Sequence, residues 1–185
     1  MIYFTSDLHF NHDREFIYAP RGFSSIHEMN DIIIEKWNSI INMEDDIYVL
    51  GDLMLGNNET AIKMIKNLKG NIHIIRGNHD TDTRITLYND CYNIVEITEG
   101  QYLKINGYHF YLCHYPTITS NLEKDGNLKS HLINLFGHTH QNNNFYNDIP
   151  FMYHVGVDSH NCYPVSFEQI IEDIKKKRDE CYKYL

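Results

Sequence analysis

Two aspartates, one asparagine and a set of histidines stand in this chain where a short apolar run has just ended. Ile2-Tyr3-Phe4-Thr5-Ser6 leads into Asp7-Leu8-His9, Ile47-Tyr48-Val49-Leu50 into Gly51-Asp52, and Ile72-His73-Ile74-Ile75-Arg76 into Gly77-Asn78-His79-Asp80. Tyr108-His109-Phe110-Tyr111-Leu112-Cys113 leads into His114, and Leu132-Ile133-Asn134-Leu135-Phe136 into Gly137-His138-Thr139-His140. Carboxylate and amide oxygens are hard ligands, imidazole is borderline, and no cysteine stands among them. That mixture suits manganese first, with iron or zinc as alternatives, whereas magnesium prefers oxygen and retained water. An Asp-x-His or His-x-His in extended backbone puts both side chains on one side. Asp52 offers two oxygens and a net charge, so it is the candidate to bridge a pair of ions. Asn78 adds a neutral oxygen beside it. Two divalent ions about 3.5–4 Å apart share a water, lower its pKa enough to yield hydroxide and clamp phosphoryl oxygens. The chemistry expected is attack of a metal-bridging hydroxide on a phosphoester. His79 follows a presumed ligand without having to be one, which places it to protonate the leaving oxygen or neutralise transition-state charge.

Runs of this length, rich in Ile, Val, Tyr and Phe, read as buried strands. Ligands gather beyond the carboxyl ends of sheets built from such strands. Each piece alone is weak: Asp-x-His is usually a surface loop, Gly-Asp a turn, and His114 a strand-end histidine. The ordered set, each member behind an apolar strand, carries the inference. A helix is expected at 25–41, where Ser25 and Glu28 form a capping box and Ile26, Met29, Ile33, Trp37 and Ile40 keep helical spacing. A second is expected near 58–68, so the first third reads β-α-β-α-β and favours parallel pairing. Strands follow at 92–98, 101–105, 108–113, 132–136 and about 151–157, with Asn106-Gly107 a hairpin signal. A closing helix runs from Ser166 to about 178. Parallel strands first and hairpins later imply two sheets packed face to face with helices outside.

At 185 residues the chain fits one domain spanning 1–185, and 42% hydrophobic with 22% charged residues is ordinary for a globular protein. No apolar stretch is long enough to span a bilayer, and MIYFTSDLHF lacks the pattern of a signal peptide, so the cytoplasm is the expected location. Cys91, Cys113, Cys162 and Cys181 are scattered and read as reduced. A formal charge of −9, with one basic cluster at Lys175 to Arg178 flanked by acids, argues against broad nucleic-acid binding.

The series D-x-H, GD, GNH[DE], H and GHxH, in this order, resembles the calcineurin-like metallophosphoesterases, and the resemblance runs from Met1 to about Phe167. It implies an α/β fold, a four-layer α/β/β/α sandwich of two mixed sheets flanked by helices, and a dinuclear site. By resemblance, Asp7, His9, Asp52 and His140 hold the first metal, Asp52, Asn78, His114 and His138 the second, and His79 is the catalytic histidine. Asp7-Leu8-His9-Phe10-Asn11-His12, the later Pro20-Arg21-Gly22-Phe23 and Val155-Gly156-Val157-Asp158 resemble the small, capless bacterial and phage branch. Many relatives carry a second Asp soon after GD that orients the catalytic histidine. Here Leu53-Met54-Leu55 follows instead, leaving Asp80 or Asp82 as its substitute.

His12 and Arg14 are candidates to meet a substrate phosphate; the alternative is an exposed loop salt bridge. Arg21 carries the same ambiguity. Tyr115-Pro116 either walls a pocket or turns the chain, and His154 and His160 are read as structural. The expected function is hydrolysis of phosphodiesters or phosphomonoesters of small phosphorylated substrates, diesters first because a capless site has room for both substituents. The rivals are a nuclease of the same family, disfavoured by the acidic balance, and a non-catalytic metal-binding interaction scaffold.

Overall fold

The computed structural model describes residues 1–119 and 127–182, with side chains as far as residue 180. Among the described residues, nine strands form two sheets. The first contains β1 (Ile2–Thr5), β2 (Asp46–Val49), β3 (Asn71–Ile75), β4 (Ile94–Thr98) and β9 (Val165–Ser166), in the order β4-β3-β2-β1-β9. The second contains β5 (Gln101–Ile105), β6 (Tyr108–Leu112), β7 (Leu132–Phe136) and β8 (Met152–His154), paired in sequence order. Pairing from β1 to β4 is parallel and β9 is antiparallel to β1; β5 and β6 are antiparallel, while β6, β7 and β8 are parallel. The molecule is thus a mixed α/β fold of two mixed sheets flanked by helices. Only one of the later connections among the described residues of the second sheet is a hairpin. Asn106 and Gly107, at φ 50° and 83°, make its turn, whereas β6 to β7 and β7 to β8 are crossovers.

Side-chain alternation explains the two cores. Tyr3, Ile47, Val49, Ile72 and Ile74 point to one face and pack under α2 (Ile26–Ile40), α3 (Asn58–Ile65) and α4 (Asp82–Tyr88). Phe4, Tyr48, Leu50 and Ile75 point to the other, against Phe110, Leu112, Ile133, Leu135 and Tyr153 of the second sheet. Burial of each such side chain contributes about 1.5–3 kcal/mol. The closing helix α5 (Phe167–Tyr182) inserts Ile170, Ile171 and Ile174 into this second core. A single-turn helix, α1 (Glu15–Tyr18), precedes α2.

Local signals account for the helix starts. Ser25 Oγ accepts the Glu28 N–H at 3.2 Å, Asn57 Oδ1 the Thr60 N–H at 3.0 Å, and Ser166 Oγ the Gln169 N–H at 3.1 Å. The Glu28 carboxylate reaches back to Ser24 N–H, at 2.8 Å, one residue earlier than a reciprocal capping box requires. The second helix is shorter than the expected 58–68, the closing helix is longer than expected, and α1 and α4 are elements the sequence reading lacked. The thiols of Cys91, Cys113 and Cys162 are free; the Cys181 side chain lies outside the described residues. No described helix is long and apolar enough to cross a membrane.

One contact matters most for the site. Ser6, just beyond β1, forms a parallel bridge with Gly156, just beyond β8. It joins the two sheets at the carboxyl ends of their strands, so the loops after β1, β2, β3, β6 and β7 meet.

Candidate metal centre

The loops are locked together by backbone. Asp7 N–H donates to Gly51 carbonyl at 3.0 Å, His9 N–H to Asp52 carbonyl at 3.0 Å, and Gly137 N–H to His114 carbonyl at 2.9 Å. A side chain at Gly77 would put a Cβ 2.3 Å from Asp52 Oδ1, and one at Gly137 would put it 2.4 Å from Asp7 Oδ2. Those two motif positions must be glycine for the Asp52 and Asp7 carboxylates to sit where they do.

Asp7, His9, Asp52, His138 and His140 all have left-handed backbone, at φ 57°, 52°, 56°, 66° and 47°. The expectation that Asp-x-His and His-x-His act through extended backbone is therefore corrected. Left-handed backbone costs a side-chain-bearing residue about 1–2 kcal/mol, so the fold holds strain at five positions here. The consequence is divergence within one motif: His140 turns toward Asp7 and His9, while His138 turns toward Asn78 and His114.

In the first group, His9 Nε2 and His140 Nε2 face each other at 3.1 Å, and Asp7 Oδ1 lies 4.0 Å from the former and 3.8 Å from the latter. Asp7 Oδ2 accepts from Ser6 Oγ at 2.6 Å and from His138 N–H at 2.9 Å, but Oδ1 is buried without a hydrogen-bond partner. In the second group, Asn78 Oδ1 lies 3.0 Å from His114 Nε2 and 2.9 Å from His138 Nδ1, and these nitrogens are 3.2 Å apart. His114 Nδ1 donates to the Leu50 carbonyl at 2.7 Å, which leaves Nε2 as a lone pair aimed at another acceptor. Between the groups, Asp52 Oδ2 is 3.8 Å from His9 Nε2 and 3.6 Å from His114 Nε2. Its other oxygen accepts the His79 N–H at 2.8 Å. One oxygen of Asp52, rather than two, faces both groups. Asp7 also comes within reach of Asp52 and His114, so it too borders both.

Carboxylate and amide oxygens converging with imidazole nitrogens leave few protons to share among many acceptors, an imbalance that a cation among them relieves. The donor set fits divalent ions of the manganese, iron or zinc kind. Burial pushes the Asp7 pKa up against the opposing pull of His140 and His114. Burial, then the cationic forms of neighbouring groups, lowers His9 and His138 and keeps them neutral, the state a ligand needs. Burial also depresses His140, but Asp158 and Asp7 outweigh it and raise its pKa.

His79 has its ring at the edge of this cluster, with Nε2 3.9 Å from Asp52 Oδ2 and its side chain 42% exposed. Neither proposed substitute for the missing aspartate touches that ring. Asp80 Oδ2 accepts the N–H groups of Asp52 and Gly77 at 2.8 and 2.9 Å, and Oδ1 accepts the Tyr88 hydroxyl at 2.7 Å. Asp82 pairs with Arg76. His79 is instead held by its backbone, between Asp52 Oδ1 and the Arg84 guanidinium, which donates to its carbonyl. His12 packs on the cluster, its Nδ1 3.4 Å from His9 Nδ1. Arg14 lies in an exposed loop with Nη1 3.5 Å from the Asp13 carbonyl. The Tyr115 ring, 46% exposed, meets His114 and His138 edge-on at 5.1 and 4.8 Å. His154 and His160 are held elsewhere, on Ser159 and on the His154 carbonyl.

Arg21 is buried, with Nε 2.8 Å from Asp158 Oδ1 and Nη2 2.8 Å from the Asp7 carbonyl. That placement removes it as an exposed phosphate contact. Asp158, Asp80 and Arg84 are residues whose roles here sequence reasoning missed.

A family model described as the calcineurin-like phosphoesterase superfamily domain matches residues 1–156. The chain belongs to that family. This phosphoesterase domain is 34% identical over 183 residues to an uncharacterised protein of Methanocaldococcus jannaschii, covering 95% of this chain and 92% of that protein. It is 33% identical over 82 residues to the gene 66 protein of Mycobacterium phage L5, covering 42% of this chain and 39% of that one. The crystal structure of a protein of unknown function from Aquifex aeolicus shares its fold, with a TM-score of 0.71 at 22% identity over 93% of this chain and 98% of that one.

Proposed function

We propose that this phosphoesterase domain is a dinuclear metal-dependent hydrolase of small phosphodiesters or phosphomonoesters. Asp7, His9, Asp52 and His140 would hold one divalent ion, and Asp52, Asn78, His114 and His138 the other. Bound ions of this kind supply charge that lowers the pKa of a water and draws in phosphoryl oxygens. The observation that carries the reading is the facing of Asn78 Oδ1, a carbonyl oxygen, by the His114 and His138 nitrogens at 3.0 and 2.9 Å. The His114 ring proton is spent on the Leu50 carbonyl, so one His138 Nδ1 proton at most is left for Asn78 Oδ1 and the His114 Nε2 lone pair, whereas a cation among them would satisfy all three atoms at once.

The chain's own groups perform the rest. The left-handed loops hold the ligand atoms in place before substrate arrives, so no ordering is needed at the moment of reaction. His79 Nε2, reachable from solvent and pinned by its backbone, is the proton donor to the departing oxygen. His12, packed against His9 on the same edge, is placed to donate to a phosphate oxygen. Arg14 would join it only by swinging from the Asp13 carbonyl. His79 and His140 keep 42% and 34% of their side chains exposed. Such an open edge leaves room for both substituents of a diester, which favours diesters over monoesters.

The test is hydrolysis of chromogenic mono- and diesters by protein stripped of metal and reloaded with manganese. Turnover well above the stripped control, faster on the diester, is expected. Equal rates for stripped and reloaded protein would refute the metal dependence, and a faster monoester would reverse the preference.

A further inference from the structure

We infer that Asp158, clamped by Arg21, is a positioning residue that makes the two ion positions unequal, with the one built on His9 and His140 the tighter. This rests on the metal-dependent reading above.

Arg21 and Asp158 form a two-pronged pair, Nε to Oδ1 at 2.8 Å and Nη2 to Oδ2 at 3.0 Å, with side chains 2% and 9% exposed. Asp158 Oδ2 also lies 3.0 Å from His140 Nδ1. Arg21 Nη2 is 3.3 Å from the same nitrogen, but a guanidinium only donates. His140 Nδ1–H therefore donates to Asp158 Oδ2. That fixes the tautomer: Nε2 keeps its lone pair and points it at His9 Nε2 and Asp7 Oδ1. Arg21 also ties the clamp to the other side of the same position, through the Asp7 carbonyl at 2.8 Å and the Leu8 carbonyl at 3.4 Å. One buried charge pair, its members 137 residues apart in the chain, thus fixes both halves of the ligand set.

The second position has no such support. His114 Nδ1 leans on a neutral backbone carbonyl, His138 sits at the surface against the Tyr115 ring, and Asn78 brings no charge. A carboxylate behind a ligating imidazole raises its basicity and stops its rotation, and loss of such a partner typically costs 10–100-fold in metal affinity.

The experiment is equilibrium titration of metal-stripped full-length protein with manganese, reading free Mn2+ by electron paramagnetic resonance, beside urea unfolding of the same samples. The wild-type chain should bind two ions with affinities separated by at least about tenfold. Asp158→Asn should weaken the tighter class by about 10–100-fold and leave the weaker within about twofold. Two equal affinities in the wild-type chain would overturn the inference, whether or not the variant folds. So would an Asp158→Asn protein that loses only urea resistance, since a plain strut predicts that. A wild-type chain that binds no manganese would instead overturn the metal-dependent reading itself.

Discussion

Asp80 is the residue whose removal separates bracing of the site from assistance to His79. Its carboxylate accepts three buried hydrogen bonds, two from the Asp52 and Gly77 amides and one from the Tyr88 hydroxyl. In Asp80→Asn the amide oxygen can keep both backbone donors, and the Tyr88 hydroxyl must turn to accept from the new NH2. Hydrogen bonds to a charged acceptor contribute about 1.5–3 kcal/mol and neutral ones about 0.5–1.5. Relief of the buried charge offsets part of the difference, so a net loss of about 1–3 kcal/mol is expected. In Asp80→Ala two buried amides and a hydroxyl lose their acceptor, at about 1–3 kcal/mol each, and the loss should be about 3 kcal/mol or more. For a chain of this size each kcal/mol lowers the melting temperature by roughly 2–4 °C. The assay is urea and thermal unfolding of metal-free protein, with turnover of the reloaded enzyme alongside. An Asp80→Asn protein as stable as wild type, yet slow, would refute the bracing role and return Asp80 to the service of the His79 ring.

Asp52→Asn should lower metal occupancy and abolish turnover, while His79→Asn should keep its ions and lose about 10²–10⁴-fold in rate; elemental analysis of both separates ligand from acid. Gly77→Ala, which must displace the Asp52 carboxylate, should lose about 1–3 kcal/mol of stability and bind metal poorly, as titration would show. His154 is buried beside His160, and burial first, then that neighbour's charge, pulls its pKa from 6.5 down to about 3. Between these values the unfolded chain takes up a proton that the folded one refuses. Its share of stability is complete above pH 6.5 and falls by up to about 1.4 kcal/mol per unit on acidification. His154→Leu should flatten that limb of the metal-free stability profile; an unchanged slope would contradict it.

The candidate site was legible because its Asp, Asn and His residues follow apolar runs whose alternation is itself legible: Ile47 and Val49 face one core, Tyr48 and Leu50 the other. Strand ends come from local pattern, and the sheet edge gathers them. Helix α4 was not legible, because the Gly-Asn-His-Asp turn runs straight into it and only Ile85, Leu87 and Tyr88 give it an apolar face. The left-handed backbone at Asp7 and His140 carries no local signal, since glycine stands at neither. It is imposed by the loops on either side. Arg21 and Asp158 find each other only after the Ser6–Gly156 bridge forms. Their side chains look like ordinary loop charges until both are buried. The sequence pattern implies hairpins where β6, β7 and β8 are joined by crossovers, because alternation within a strand does not reveal its neighbour's direction.

The most direct measurement is anomalous diffraction from crystals soaked in manganese. Two peaks are expected about 3.5–4 Å apart, one among Asp7, His9 and His140, the other among Asn78, His114 and His138, with Asp52 between them. A map with no peak among these residues, or with density that leaves Asp52 outside it, would contradict a paired-ion phosphoesterase.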